Sequence, residues 1–331
     1  MHQSHPPRKA TPPTSAAPVN GLVNGPVSGP VSGPPRRAFV AVVLANVALA
    51  FGPWFVRLAD TGPAAAAFWR MALAVPVLLA IAAATGTLTL RLSPRLWWFL
   101  ALAGLAFAAD LGSWHLGIVQ TTLANATLFG NSATFIFPIY GFILARAWPS
   151  RTQGVALLLA GLGAALLMGR SYQLDPTHLV GDLLCVLAGV LYAVYFMLMA
   201  DVRRTMAPIP ALALSSLTAL APLWLFAMVL GERILPTDWT PLLLLALVSQ
   251  IIGQGLMIYA LGQLSPLVVG LALLVQPVVA AVIGWLAYDE RLGAPDFVGV
   301  ALVAVALVLV RRAPGVAKRA PAANLVPEEQ R

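Results

Sequence analysis

The stretch 270-GLALLVQPVVAAVIGWLAYDERLGAPDFVGVALVAVALVLV-310 decides the fold. A polar turn around Asp289, Glu290 and Arg291 divides it into the end of one apolar run and the whole of another. Each run approaches the ~20 residues that a helix needs to cross a bilayer. Working outward, comparable spans are expected at 38–56, 63–84, 96–117, 121–144, 151–169, 179–199, 210–230, 239–261, 266–287 and 295–311. Turn-forming residues separate them: Thr61-Gly62-Pro63, Ser93-Pro94, Pro149-Ser150, Asp175-Pro176, Pro236-Thr237 and Ser265-Pro266.

Composition agrees. Hydrophobic residues make up 60% of the 331 and charged residues only 10%, with a mean hydropathy of +0.85. An ordinary globular domain carries about 25% charged residues, so a soluble chain of this composition could not cover its surface. The formal charge of +8 does not describe a nucleic-acid binder, because the basic residues form no stripe and sit at the ends of apolar segments. With the N-terminus in the cytoplasm, Arg8, Lys9, Arg36, Arg37, Arg91, Arg95, Arg146, Arg151, Arg203, Arg204, Arg311, Arg312, Lys318, Arg319 and Arg331 fall inside. Only Arg57, Arg170, Arg233 and Arg291 fall outside. The bias predicts both termini in the cytoplasm of a bacterial-type inner (plasma) membrane crossed many times.

The ten spans form two sets of five. Spans 3 and 4 overlay on spans 8 and 9 at a shift of 143 residues, which matches Gln120 with Gln263, Thr122 with Ser265 and Thr134 with Pro277. At a shift of 145, Gly154-Val155-Ala156-Leu157 meets Gly299-Val300-Ala301-Leu302. Five is odd, so equivalent spans run in opposite directions. The expected fold is an all-α polytopic membrane protein, ten transmembrane helices as two inverted five-helix repeats. The repeats cover 38–170 and 178–312. A disordered cytoplasmic tail rich in Pro, Gly and Ser precedes them at 1–37, and a cytoplasmic tail follows at 313–331.

These residues resemble the EamA-type ten-helix permeases of the drug/metabolite transporter superfamily. Pro277, the acidic pair Asp289-Glu290 and Gly299 match that family's closing signature. The segments 62-GPAAAAFWRMALAVPVLLA-80 and 108-AADLGSWHLGIVQTTLANATLFGNSATF-135 are similar to its spans 2 to 4. The first half departs from the pattern, with Thr134 and Ala147 where the second half has Pro277 and Glu290. The resemblance implies a secondary transporter of small organic metabolites, usually an exporter, working by alternating access. It implies a small-molecule substrate and the lipid bilayer as partners, no nucleic acid, no cofactor and no enzymatic activity. A homodimer is compatible with it.

Ionisable groups inside a span cost at least ~2.5 kcal/mol at its centre, so each needs a reason. Arg70 and Asp110 should both lie roughly 10 Å below the outer boundary, from seven residues at 1.5 Å rise. Their opposite charges suit an ion pair. Either could meet a substrate carboxylate or amine, and Asp110 could carry a proton. A structural brace is the plainer role, and for Arg70 the leading one. Trp114 shares Asp110's helix face, although tryptophans at this depth commonly serve as interface anchors. His115, near the boundary, reads first as a solvated or capping group. Asn125 and Ser132 fall with Thr121 on one stripe of span 4, while Gln250 and Gln254 lie one turn apart in span 8. Polar glue between helices competes with ligand contact for all of them. Pro76, Pro138, Pro222 and Pro277 each free backbone groups and permit a bend; Pro277, which carries the family resemblance, is the expected hinge.

The rival readings are an intramembrane enzyme and a non-transporting scaffold or receptor. No HExxH, GxSxG, Walker or GxGxxG motif stands in a context that could carry its chemistry. The 4 histidines are too scattered for a multi-histidine metal site, and the single Cys185 cannot form an intrachain disulfide.

Overall fold

The computed structural model describes residues 35–118, 120–121, 129–169, 176–288 and 293–312. All regular structure among them is helical. Hydrocarbon offers no water to unpaired N–H and C=O groups, so a chain this apolar satisfies its backbone within each segment. Among the described residues, eight helices are long and apolar enough to cross a membrane: Arg36–Leu58, Pro63–Ala84, Pro94–Trp114, Pro176–Val202, Pro208–Val229, Thr240–Leu261, Pro266–Ile283 and Ala294–Arg312. These are spans 1, 2, 3, 6, 7, 8, 9 and 10. Two shorter apolar helices, Ala133–Ala145 and Arg151–Leu167, supply spans 4 and 5. Span 4 was expected over 121–144. Its described helix starts only at Ala133, and residues 122–128 lie outside the described residues.

Local chemistry sets the helix ends. Proline opens spans 2 and 7 at Pro63 and Pro208, where the missing N–H is no loss. The same two spans end alike. Thr87 N–H bonds to Ala82 O at 2.9 Å and Glu232 N–H to Ala227 O at 3.1 Å, each six-residue loop closing over a glycine with positive φ, Gly86 at 65° and Gly231 at 63°. A side chain at either glycine would be strained in this left-handed cap. Both spans also carry an internal proline, Pro76 and Pro222.

Contacts between spans reveal how the halves are related. Spans 2 and 7, 4 and 9, and 5 and 10 each pack against their own counterpart, whereas span 3 packs on span 6 as span 8 packs on span 1. This pattern is unchanged when the halves are exchanged. The counterparts run antiparallel. Gly141 lies against Pro266 while Gly270 lies against Pro138 and Thr134. Gly163 and Gly299 approach so closely that a Cβ on either would sit 2.8–2.9 Å from the other's carbonyl oxygen. Span 2 begins where span 7 ends, with Gly62 N–H bonded to Arg233 O at 3.1 Å. Two sets of five spans therefore form inverted repeats.

Burial in a bilayer gives little reason for helices to associate, so small residues and polar bonds do much of it. Gly104 and Gly112 set span 3 directly on Ser215, Thr218 and Phe226 of span 7. At the ends of spans 2 and 7 the loops are clamped. Glu232 accepts from Ala64 N–H at 3.2 Å and Ala65 N–H at 2.8 Å, capping span 2 from across the molecule. Trp69 Nε1 donates to Ile234 O at 2.8 Å. Asp60 accepts from the Thr237 hydroxyl and backbone N–H and lies 3.6 Å from Arg233. The Thr237 hydroxyl bond foremost, then the backbone bond, holds the Asp60 carboxyl below the usual carboxylate range.

Candidate functional site

Among the described residues, spans 1, 8 and 9 lose regular α-helical geometry around one cavity, and span 4 is interrupted as well, at residues 131–132. Span 1 breaks at Phe51, just before Gly52 and Pro53. Span 8 adopts a π-helix over Leu245–Gln254, a rare geometry often found at functional sites. Span 9 stops at Ala272 and restarts at Val275, two residues ahead of Pro277. Pro277 has no N–H for the carbonyl of Leu273 and its ring would clash there, so the helix yields at Leu273 and Leu274. Irregular backbone at membrane depth is tolerated where protein or a cavity surrounds it.

The cavity measures about 150 Å³. Span 1 supplies Leu49, Gly52, Pro53 and Val56, and span 2 supplies Ala67 and Arg70. Span 3 supplies Phe107, Asp110, Leu111 and Trp114, and spans 6, 8 and 9 supply Tyr192, Leu245 and Gln276. Arg70, Asp110 and Trp114, singled out from sequence, thus face one space. The two charges lie within electrostatic range of each other, but no direct Arg70–Asp110 ion pair within 4.0 Å occurs among the described residues.

Arg70 is held otherwise. Its Nε donates to Gln250 Oε1 at 2.8 Å, and its guanidinium sits 5.7 Å from the centre of the Phe107 ring, within cation–π range. Gln250 in turn donates from Nε2 to Ser216 Oγ at 2.9 Å. The repeat gives this arrangement its logic. Arg70 precedes Pro76 by six residues and Ser216 precedes Pro222 by six, whereas the ends of spans 2 and 7 overlay at a shift of 145 and set Arg70 opposite Ser215. Gln250 and Phe107 are equivalent at the 143-residue shift. One amide therefore joins Arg70 to the immediate neighbour of its counterpart, while its own counterpart is an aromatic ring under the arginine.

Two further amides tie the breaks together. Gln276 Nε2 donates to Asn46 Oδ1 at 2.8 Å, and Asn46 Nδ2 donates to Val42 O at 2.7 Å. Asn46 is fully buried. Tyr192 Oη donates to Gln254 Oε1 at 3.4 Å, with Tyr192 stacked among Phe107, Tyr195 and Phe196. Gln254 Nε2 and Ser249 Oγ, both on the π-helix, are buried without a hydrogen-bond partner.

The other sequence candidates scatter. Ser132 does not face the cavity: it lies against Gly189 of span 6, its Oγ buried without a hydrogen-bond partner. Its expected stripe assumed an unbroken helix through span 4, whereas Ser132 stands just ahead of the described helix. Asn125 lies outside the described residues. His115 belongs to the span 3 helix, and its side chain is outside the described set. Sequence reasoning overlooked Asn46 and Gln276. Each is a lone amide in an apolar span, the signal that drew attention to Gln250 and Gln254. Among the described residues no group of His, Cys, Asp and Glu side chains is placed to hold a metal ion.

This architecture is similar to that of a solved structure titled only "Crystal structure of protein". The match has a TM-score of 0.67 at 18% identity and covers 83% of this chain and 96% of that one. At that identity it speaks for the fold alone. A protein of Archaeoglobus fulgidus described as an uncharacterized transporter is 29% identical over 150 residues, 43% of this chain. The alignment spans 50% of that relative's length. The sequence also matches the EamA-like transporter family twice, over residues 36–169 and 179–312. These two matches take in nearly every described residue and fall one on each five-span half, so the chain is a polytopic membrane protein that belongs to the EamA-like transporter family.

Proposed function

We propose that the chain is a secondary transporter of the bacterial-type inner membrane, exporting small organic metabolites by alternating access between its two halves. The observation that carries this reading is the cavity where three interrupted spans meet, lined by one cation, one anion and three aromatic rings. A guanidinium and a carboxylate facing one space complement a substrate bearing both a carboxylate and an amine. The rings suit an apolar or aromatic remainder, and about 150 Å³ limits the substrate to a compact molecule. Amino acids and related compounds or drugs fit these terms. Asp110 is the group suited to exchange a proton, Arg70 the anchor for an anion. The breaks in spans 1 and 9 are where the halves would hinge. The Lys/Arg bias supports cytoplasmic termini, and the family supports transport rather than catalysis.

The test is uptake and efflux of radiolabelled amino acids by proteoliposomes of the full chain, with and without a pH gradient. Asp110→Asn should remove the pH dependence while leaving expression intact. Transport of no compact zwitterion, or unchanged pH dependence in that variant, would overturn the corresponding part. Reporter fusions at each terminus check orientation.

A further inference from the structure

On the lipid-facing side, away from the transport cavity, a second space of about 550 Å³ lies between the start of span 1 and the end of span 8. Its walls are Val40, Ala41, Leu44, Leu256 and Tyr259, and at its head stand Arg36 and Arg37. Arg36, Val40 and Leu44 follow one another at four-residue intervals, so they form a straight stripe about 12 Å long at 1.5 Å per residue. Ala41 is a buried floor, while Val40 and Leu44 are 47% and 52% exposed. Gly255, next to Leu256, has no neighbour within 4 Å of where a Cβ would stand, which keeps the span 8 wall open.

We propose that this groove is a binding site for one anionic phospholipid, its phosphate held by Arg36 and Arg37 and an acyl chain laid along Val40 and Leu44. Charge complementarity selects the occupant. Two adjacent guanidiniums, neither with an acidic partner among the described residues, sit where the apolar trough meets the headgroup layer. A zwitterionic lipid offers no net charge to them. Residues 1–35 bring Arg8 and Lys9 but no acid, so that stretch offers these arginines no anionic side chain. The Tyr259 hydroxyl adds a donor at headgroup level. Spans 1 and 8 pack on each other as spans 6 and 3 do, so a lipid here occupies a seam that any exchange between the halves must open. This inference needs only that the chain spans a bilayer. It does not depend on the substrate or direction proposed above.

The experiment is native mass spectrometry of the full chain from mixed micelles holding equal phosphatidylglycerol and phosphatidylcholine. At a factor of about five to six for each arginine, the wild type should prefer phosphatidylglycerol by about thirty-fold. Arg36→Gln with Arg37→Gln should bring the preference close to parity. Arg91→Gln with Arg95→Gln, at a different interhelical turn, should leave it unchanged. Val40→Trp with Leu44→Trp fills the trough but keeps both arginines, and should also weaken retention of the lipid. Preference that survives loss of Arg36 and Arg37 overturns the site. Binding untouched by the tryptophans, or abolished by soluble glycerol phosphate, overturns the acyl groove. Monomeric elution and helical content of each variant separate these outcomes from misfolding.

Discussion

Replacing Gln250 with Leu removes the acceptor of Arg70 Nε at 2.8 Å and the donor to Ser216 Oγ at 2.9 Å. A hydrogen bond to a charged group is worth about 1.5–3 kcal/mol and a neutral one about 0.5–1.5. The gross loss is therefore roughly 2–4.5 kcal/mol. Arg70 has an alternative partner, because Asp110 opens onto the same cavity, so the net cost should fall near the low end, about 2 kcal/mol. Membrane helices also tend to recover part of such losses by finding other partners. Expressed as melting temperature in detergent, this is a fall of a few degrees. Gln250→Glu offers the contrast. A carboxylate on Arg70 Nε exchanges a neutral acceptor for a charged one, so stability should hold or rise. Transport should fall in both variants, through lost positioning in the first and a neutralised anchor in the second. Thermal unfolding followed by size-exclusion chromatography reads the first quantity, and proteoliposome flux the second. If Gln250→Leu melts and transports like wild type, the amide does not hold Arg70 and the account of the site fails. If Gln250→Glu is the less stable of the two, Arg70 is not the residue at the other end of the bond.

Three other perturbations test the frame around the site. Gly163→Val should cost about 1–3 kcal/mol by overpacking, since its Cβ would meet Gly299 O at 2.8 Å; Gly154→Val, with nothing within 4 Å, should be nearly neutral, and melting temperatures compare them. Glu232→Ala removes the cap on Ala64 and Ala65 N–H and should cost about 1 kcal/mol, read in the same assay. Asp60 has its folded pKa depressed below 3.8 by Thr237, so its contribution is complete above that value and lost as pH falls through the lower folded pKa. Melting followed from about pH 6 to about pH 3 should show an acid loss in wild type that Asp60→Asn does not share.

Much of this fold could be read from the chain because a bilayer reduces the problem to span length and turn chemistry. The turn residues at 61–63, 93–94, 149–150 and 265–266 mark real boundaries. That Arg70 and Asp110 open onto one space was legible from their equal depth; the expected ion pair between them does not occur among the described residues, because Arg70 Nε donates to Gln250 instead. What failed was register. The stripe of Thr121, Asn125 and Ser132 assumed an unbroken helical wheel, whereas residues 131–132 form a turn ahead of the helix at Ala133; Asn125 lies outside the described residues. Gln276 sits two residues past a break, so no wheel drawn through span 9 aims it at Asn46. Apolar patterning could not help either. Leu102, Leu105 and Leu158 face the lipid side as exposed residues, while Leu100 and Leu212 are buried. Water would have sorted these residues by polarity; hydrocarbon does not.

The π-helical stretch of span 8 bears on how the gene could tolerate change in length. A π-turn spends more residues than an α-turn for the same angular advance, so Leu245–Gln254 holds slack that the other spans lack. Deleting one residue there can be absorbed by tightening the coil, whereas the same deletion in span 2 would rotate Arg70 away from the cavity. The duplicated halves need not have diverged by substitution alone, and span 8 is where a single-codon insertion could have entered without breaking the helix.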